Sequence, residues 1–123
     1  MYVELKNINK SYVPGGLIRQ RTEAIVGAAA VNALSQYNFT KAFLGVDGVS
    51  PERGFTTPRI EERELKAAVL RASRESWFLA DDSKFGKVFP AGICPLAGAG
   101  ILTNRLPDEQ YRGYTIIKEA DEA

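Results

Sequence analysis

Residues able to do chemistry are few in this chain, and most lie in its middle third. Asp47, Thr56, Thr57, Glu62 and Lys66 fall within twenty positions, and Lys84 follows a little later. The Gly15-Gly16 pair and Arg19 stand upstream. Carboxylates accept hydrogen bonds from hydroxyl groups or move protons, and a lysine or arginine meets an anion. A glycine pair lets backbone N–H groups approach an anion closely, and a helix N-terminus does the same. Plainer roles exist for each: a turn for Gly15-Gly16, an Asx-turn for Asp47, capping for Thr56 and Thr57, and solvated charge for Lys84 and Arg19. The 123 residues contain no histidine and one cysteine, Cys94. That excludes Ser-His-Asp and Cys-His nucleophile pairs, HExxH zinc helices, an intrachain disulfide and a CxxC metal clip. Metal binding would have to use carboxylates and carbonyls, so a structural zinc is excluded; no metal or cofactor is expected.

Glu62 is placed by periodicity. Leu65, Val69 and Ala72 form one apolar stripe of a helix, and three residues before Leu65 stands Glu62. A carboxylate therefore continues the core-facing stripe at the first turn. The competing reading is an exposed Glu62–Lys66 pair worth about 0.3–0.5 kcal/mol. The helix is predicted over Pro58–Glu75, with Thr57 as its cap and Pro58 at its first position. A smaller Ala-rich helix is predicted over 27–36. Apolar runs predict strands at Tyr12-Val13, 41–46, 77–80, 100–103 and 114–117, and residues 48–57 read as a long loop. Continuous apolar strands alternating with helices predict an α/β domain with a mainly parallel sheet flanked by helices. Ligands of such sheets bind at the carboxyl ends of strands. Gly15-Gly16, Asp47-Gly48 and Asp81-Asp82-Ser83-Lys84 all follow apolar runs. Trp77 and Phe78 are expected in the core, and Cys94 as an inert buried thiol.

Composition is that of an ordinary globular chain, 45% apolar and 25% charged, with a net charge of +1. Only Arg19 and Arg21 form a local basic cluster, so DNA binding by these residues alone is not expected. The longest apolar stretch, Ala91–Leu102, is broken by glycine and proline and is too short to span a bilayer. A cytoplasmic location and no membrane partner are expected.

The run Phe43-Leu-Gly-Val-Asp-Gly-Val-Ser-Pro-Glu-Arg-Gly-Phe-Thr-Thr-Pro58, then Glu62-Arg-Glu-Leu-Lys66, then Leu79-Ala-Asp-Asp-Ser-Lys-Phe-Gly-Lys87 resembles the effector-binding domain of the DeoR family of bacterial repressors of sugar catabolism. Pro14-Gly-Gly-Leu-Ile-Arg19 and Ile101-Leu-Thr-Asn-Arg-Leu-Pro107 extend the similarity to most of the chain. The resemblance implies a fold related to ribose-5-phosphate isomerase and coenzyme A transferases, and a phosphorylated sugar as effector. It implicates Gly15, Gly16, Arg19, Asp47, Gly48, Thr56, Thr57, Glu62, Lys66 and Lys84 in binding. It further implies that residues 1–123 form a partial effector domain, without the family's N-terminal winged helix-turn-helix through which DNA is contacted. A sheet lacking its first strands has an open edge, so a homo-oligomer is expected. The alternatives are a sugar-phosphate isomerase of the related fold, with Asp47 and Glu62 as acid/base groups and Lys84 on phosphate, or a degenerate fragment that binds nothing.

Overall fold

The computed structural model describes residues 17–18, 25–26 and 28–120. Two short strands, β1 (Leu17–Ile18) and β2 (Ile25–Val26), pair antiparallel. Helix α1 (Ala28–Leu34) leads to β3 (Phe39–Gly45). A hairpin of β4 (Gly48–Ser50) and β5 (Gly54–Thr57) follows, then helix α2 (Ile60–Arg71) and β6 (Ser73–Leu79). The chain ends in β7 (Ala91–Cys94), β8 (Gly100–Thr103) and β9 (Ile117–Glu119). The central sheet has the order β3-β6-β8-β9 and is parallel throughout. A smaller antiparallel sheet, β4-β5-β7, sits beside it. The expected α/β architecture with a mainly parallel sheet is therefore observed. Tyr12-Val13 lies outside the described residues.

Several element boundaries differ from the sequence reading. Residues 48–57 are not a loop but a hairpin, because Val49 and Phe55 pair across it and both are fully buried. Its tight return uses Gly54 at φ +71°, where a Cβ would also lie 2.2 Å from the Cys94 carbonyl. Helix α2 stops at Arg71 rather than running to Glu75, because the Ser73 hydroxyl closes its end by donating to the Val69 carbonyl at 2.6 Å. From Ser73 the backbone instead pairs with β3. The final strand lies at Ile117–Glu119, later than expected, and residues 109–113 form a 3-10 turn. Strand β7 was hidden inside the Gly- and Pro-broken apolar stretch.

The core lies on one face of the central sheet. Ala42 and Leu44 of β3, Phe78 of β6, Ile101 of β8 and Ile117 of β9 form one buried cluster with Leu65, Ala68 and Val69 of α2. Phe55 stacks on Phe78 with ring centroids 4.2 Å apart, tying the hairpin to the sheet. Truncating such a buried ring costs about 3–5 kcal/mol.

The other face is open among the described residues. Pairing places Phe43, Trp77, Gly100 and Ile116 in one row, with Leu79, Leu102 and Lys118 in the next. Phe43 is 51% exposed, Leu79 48% and Ile116 67%. Trp77 belongs to this face rather than the core, because Phe78 takes the inward position of β6; its ring occupies the space a side chain at Gly100 would need, with the Lys118 ammonium 5.5 Å from the ring centroid. β3 is an edge strand of the described sheet.

Candidate functional site

Three chain breaks converge at the carboxyl end of the central sheet. β3 ends at Gly45 and delivers Asp47; β5 ends on Thr57; α2 begins at Ile60 and presents Glu62 in its first turn. Glu61 and Glu62 suit the positive end of the helix dipole. Thr57 does not cap this helix. Its fully buried hydroxyl lies 3.0 Å from Asp47 Oδ2 and 2.9 Å from Glu62 Oε1. A hydroxyl has one proton, so it donates to one of the two carboxylates at a time.

Lys66 lies one turn after Glu62 on α2 and is only 1% exposed. The expectation of an exposed Glu62–Lys66 pair is corrected, because α2 is covered on two sides and Leu65 to Val69 are all buried. Burial pushes the Lys66 ammonium below its ordinary pKa, against the pull of the Glu62 and Asp47 carboxylates. Glu62 moves the other way relative to its burial. Partial burial raises it, but the Thr57 hydrogen bond and the Lys66 charge are among the influences that bring it below its ordinary value.

Thr56 and Gly48 sit beside this cluster in a different role. Thr56 Oγ1 accepts a hydrogen bond from Phe89 N at 3.0 Å. A Cβ on Gly48 would lie 2.5 Å from both Lys87 O and Thr56 Oγ1, so only glycine allows this approach. These two positions hold the 87–89 segment against the hairpin. Lys84 closes a 3-10 turn whose first residue is capped by Asp81. Asp81 accepts from the Ser83 hydroxyl and backbone, which lowers its pKa, with Lys84 and Lys87 adding to the effect. No hydrogen bond or ion pair joins Lys84 to Asp47, Thr57 or Glu62. Gly15, Gly16 and Arg19 lie outside the described residues.

The sequence reading missed Asn104 and Arg105. They leave the end of β8 and hold the neighbouring loop: Asp82 N donates to Asn104 Oδ1 at 2.9 Å, and Arg105 bridges Asp82 at 3.0 Å. Their position after an apolar strand was the available signal. No group of His, Cys, Asp or Glu among the described residues is arranged to hold a metal ion. No helix among them is long and apolar enough to cross a membrane.

A family model described as the DeoR C-terminal sensor domain matches residues 2–104. The chain belongs to this family. It is 38% identical over 110 residues to the uncharacterized HTH-type transcriptional regulator FruR of Bacillus subtilis strain 168, covering 87% of this chain and 44% of that protein. It is 32% identical over 111 residues to the HTH-type transcriptional regulator IolR of the same organism, covering 89% and 44%. The lactose phosphotransferase system repressor of Staphylococcus epidermidis is 38% identical over 85 residues, 69% of this chain and 34% of that protein. The chain thus spans less than half the length of these relatives. It is a sensor domain of DeoR-type transcriptional regulators, and its relatives are regulators rather than enzymes.

Proposed function

We propose that this sensor domain binds a phosphorylated sugar at the Asp47–Thr57–Glu62–Lys66 cluster and reports its presence to a DNA-binding segment. The observation that carries this reading is the Thr57 hydroxyl held between two carboxylates with a buried ammonium behind them. Asp47 and Glu62 accept hydrogen bonds from sugar hydroxyls. Lys66 supplies positive charge in a desolvated setting, where attraction to an anion is strong. Gly15, Gly16, Arg19 and Lys84 complete the anion-binding side, while Gly48 and Thr56 fix the adjoining loop. A relative named as a lactose phosphotransferase system repressor supports a sugar-related effector. Residues 1–123 represent part of an effector domain, and DNA contact belongs to a region of the relatives outside the match. A homo-oligomer with a cytoplasmic location belongs to the same reading, and its proposed contact is the open sheet face beside β3.

Effector binding alters a regulator only if the ligand prefers one of two conformations. The cluster joins β3, β5 and α2, so a ligand held by all three biases their relative positions. Thermal denaturation against hexose, pentose and ketose phosphates tests the reading. A ligand at 100 times its dissociation constant adds about 2.7 kcal/mol. A panel in which no member raises the melting temperature would overturn it.

A further inference from the structure

Charge is unevenly spread along this chain. Residues 24–46 contain no aspartate or glutamate, and neither do residues 65–74. The fold brings the two acid-free stretches together at the amino ends of β3 and β6. Phe39 and Ser73, the first residues of these strands, pair there, and α2 ends beside them at Arg71. A cavity of about 490 Å³ opens at this end, in the size range of small-molecule sites. Asn38, Phe39, Thr40 and the run Arg71-Ala-Ser-Arg74 line it. Two guanidinium groups and no carboxylate therefore border it. The next residue, Glu75, belongs to the other sheet face, where it accepts from Trp77 Nε1 at 2.5 Å.

Helix capping does not account for these arginines. The last carbonyls of α2 are already taken: Ala72 N donates to Ala68 O and Val69 O, both at 3.1 Å, and the Ser73 hydroxyl donates to Val69 O at 2.6 Å. A cation in the last turn suits the helix dipole, which explains Arg71 but not Arg74, a residue of the following strand. Both side chains are exposed, and no described carboxylate forms an ion pair with either. Asn38 and Thr40 add an amide and a hydroxyl as neutral donors to the same cavity.

We propose that this cavity is an anion site separate from the Asp47–Glu62 cluster, and that it takes the phosphate group of a small phosphorylated molecule. A guanidinium fork matches phosphate oxygens in pairs, and two such groups balance a dianion. From Phe39 to Gly45, β3 runs about 20 Å between this cavity and the end that carries Asp47. The site therefore stands or falls independently of the sugar-phosphate reading. Helix α2 reaches both ends, with Glu62 in its first turn and Arg71 in its last, and any coupling of the two sites through it is reciprocal.

The test titrates the whole ¹⁵N-labelled chain with pyrophosphate at constant ionic strength and follows amide and arginine Nε–H signals by NMR. Saturable shifts are expected at the Arg71 and Arg74 Nε–H groups and the Thr40 amide. The double variant Arg71→Gln, Arg74→Gln is expected to raise the fitted Kd about tenfold or more. Both side chains lie outside the core, and the unchanged remainder of the spectrum reports that the variant is folded. Shifts that do not saturate, or a Kd unchanged in the double variant, overturn the proposal. Shifts confined to the amides of Thr57 and Glu62 also overturn it and leave the sugar-phosphate reading standing. A mixed-sequence DNA duplex that moves the same arginine signals at a lower phosphate concentration than pyrophosphate overturns the small-molecule assignment in favour of a nucleic-acid backbone.

Discussion

The Thr57 hydroxyl lies 2.9 Å from Glu62 Oε1, joining the last residue of β5 to the first turn of α2. Thr57 is fully buried and also reaches Asp47, so its one hydroxyl mediates between two carboxylates. Thr57→Val keeps the shape and removes the donor. The hydrogen bond to Asp47 and Glu62 is then lost while both carboxylates stay half-buried. A loss of about 1–3 kcal/mol is expected in urea denaturation, together with loss of the thermal shift by sugar phosphate. An unchanged urea midpoint would show that the hydrogen bond is not made in solution.

The same bond sets an acid-side pH dependence. Glu62 titrates below its ordinary 4.5 in the folded chain. The unfolded chain thus binds the proton more readily, and the stabilisation is present above about pH 4.5 and lost as pH falls through the folded value. Lys66 acts at the other end of the scale. Its folded pKa lies below the ordinary 10.5, so the unfolded state again binds more protons and stability rises with pH between the folded value and 10.5. Lys66→Met removes the positive charge that attracts Glu62 and Asp47, and is expected to abolish sugar-phosphate binding and to lower the urea midpoint at pH 7. An unchanged midpoint would show that the ammonium does not compensate the two carboxylates.

Gly48 and Gly92 form a matched pair. A methyl group at Gly48 meets the Lys87 carbonyl and the Thr56 hydroxyl at 2.5 Å, whereas at Gly92 it meets nothing within 4 Å. Gly48→Ala is expected to cost about 1–3 kcal/mol through overpacking. Gly92→Ala is expected to stay within about 0.5 kcal/mol of the parent. Equal midpoints for the two variants would remove the argument for a tight clasp at Gly48.

How much of this was legible in the chain follows from range. The parallel α/β sheet was readable because strands β3, β6 and β8 are local apolar runs of the right length. Asp47, Glu62 and Lys66 were readable as candidates because each sits at a strand end or on a helical face. The burial of Lys66 was not, since α2 packs on β7, which follows only after β6 and a loop. The hairpin was masked by its own glycine and proline, although Val49 and Phe55 form its buried pair. Trp77 misled for a simpler reason. Adjacent aromatic residues on a strand point to opposite faces, and only the sheet's packing decides that Phe78 goes inward.

Cys94 yields a chemical prediction. Burial pushes its thiol from 9.0 up to about 11, so the folded chain holds a thiolate population about 100-fold smaller than the unfolded chain below pH 9. Alkylation by iodoacetamide at pH 8 is expected to be slow in buffer and rapid in urea. Cys94 is half-buried rather than buried as expected, and equal rates in the two conditions would contradict even this partial cover.

The open sheet face gives the test of assembly. Parallel sheets normally bury both faces, and here Phe43, Leu79 and Ile116 are exposed on one face, around a half-buried Trp77. A groove of about 720 Å³ runs past Trp77, Gly100, Tyr114 and Ile116 at the start of the strands. The groove lies at the end opposite Asp47, and Phe43 and Leu79 continue the same face towards the carboxyl ends of the strands, where Leu79 pairs with Gly45. Self-association through this face covers apolar area worth about 25 cal/mol per Å². Replacing both Phe43 and Leu79 by Lys places like charges on that area, while neither side chain belongs to the buried core. Sedimentation velocity is expected to show the parent chain as a dimer or larger and the double variant shifted to monomer, with its urea midpoint little changed. An identical sedimentation profile for the two would assign self-association, where present, to another surface.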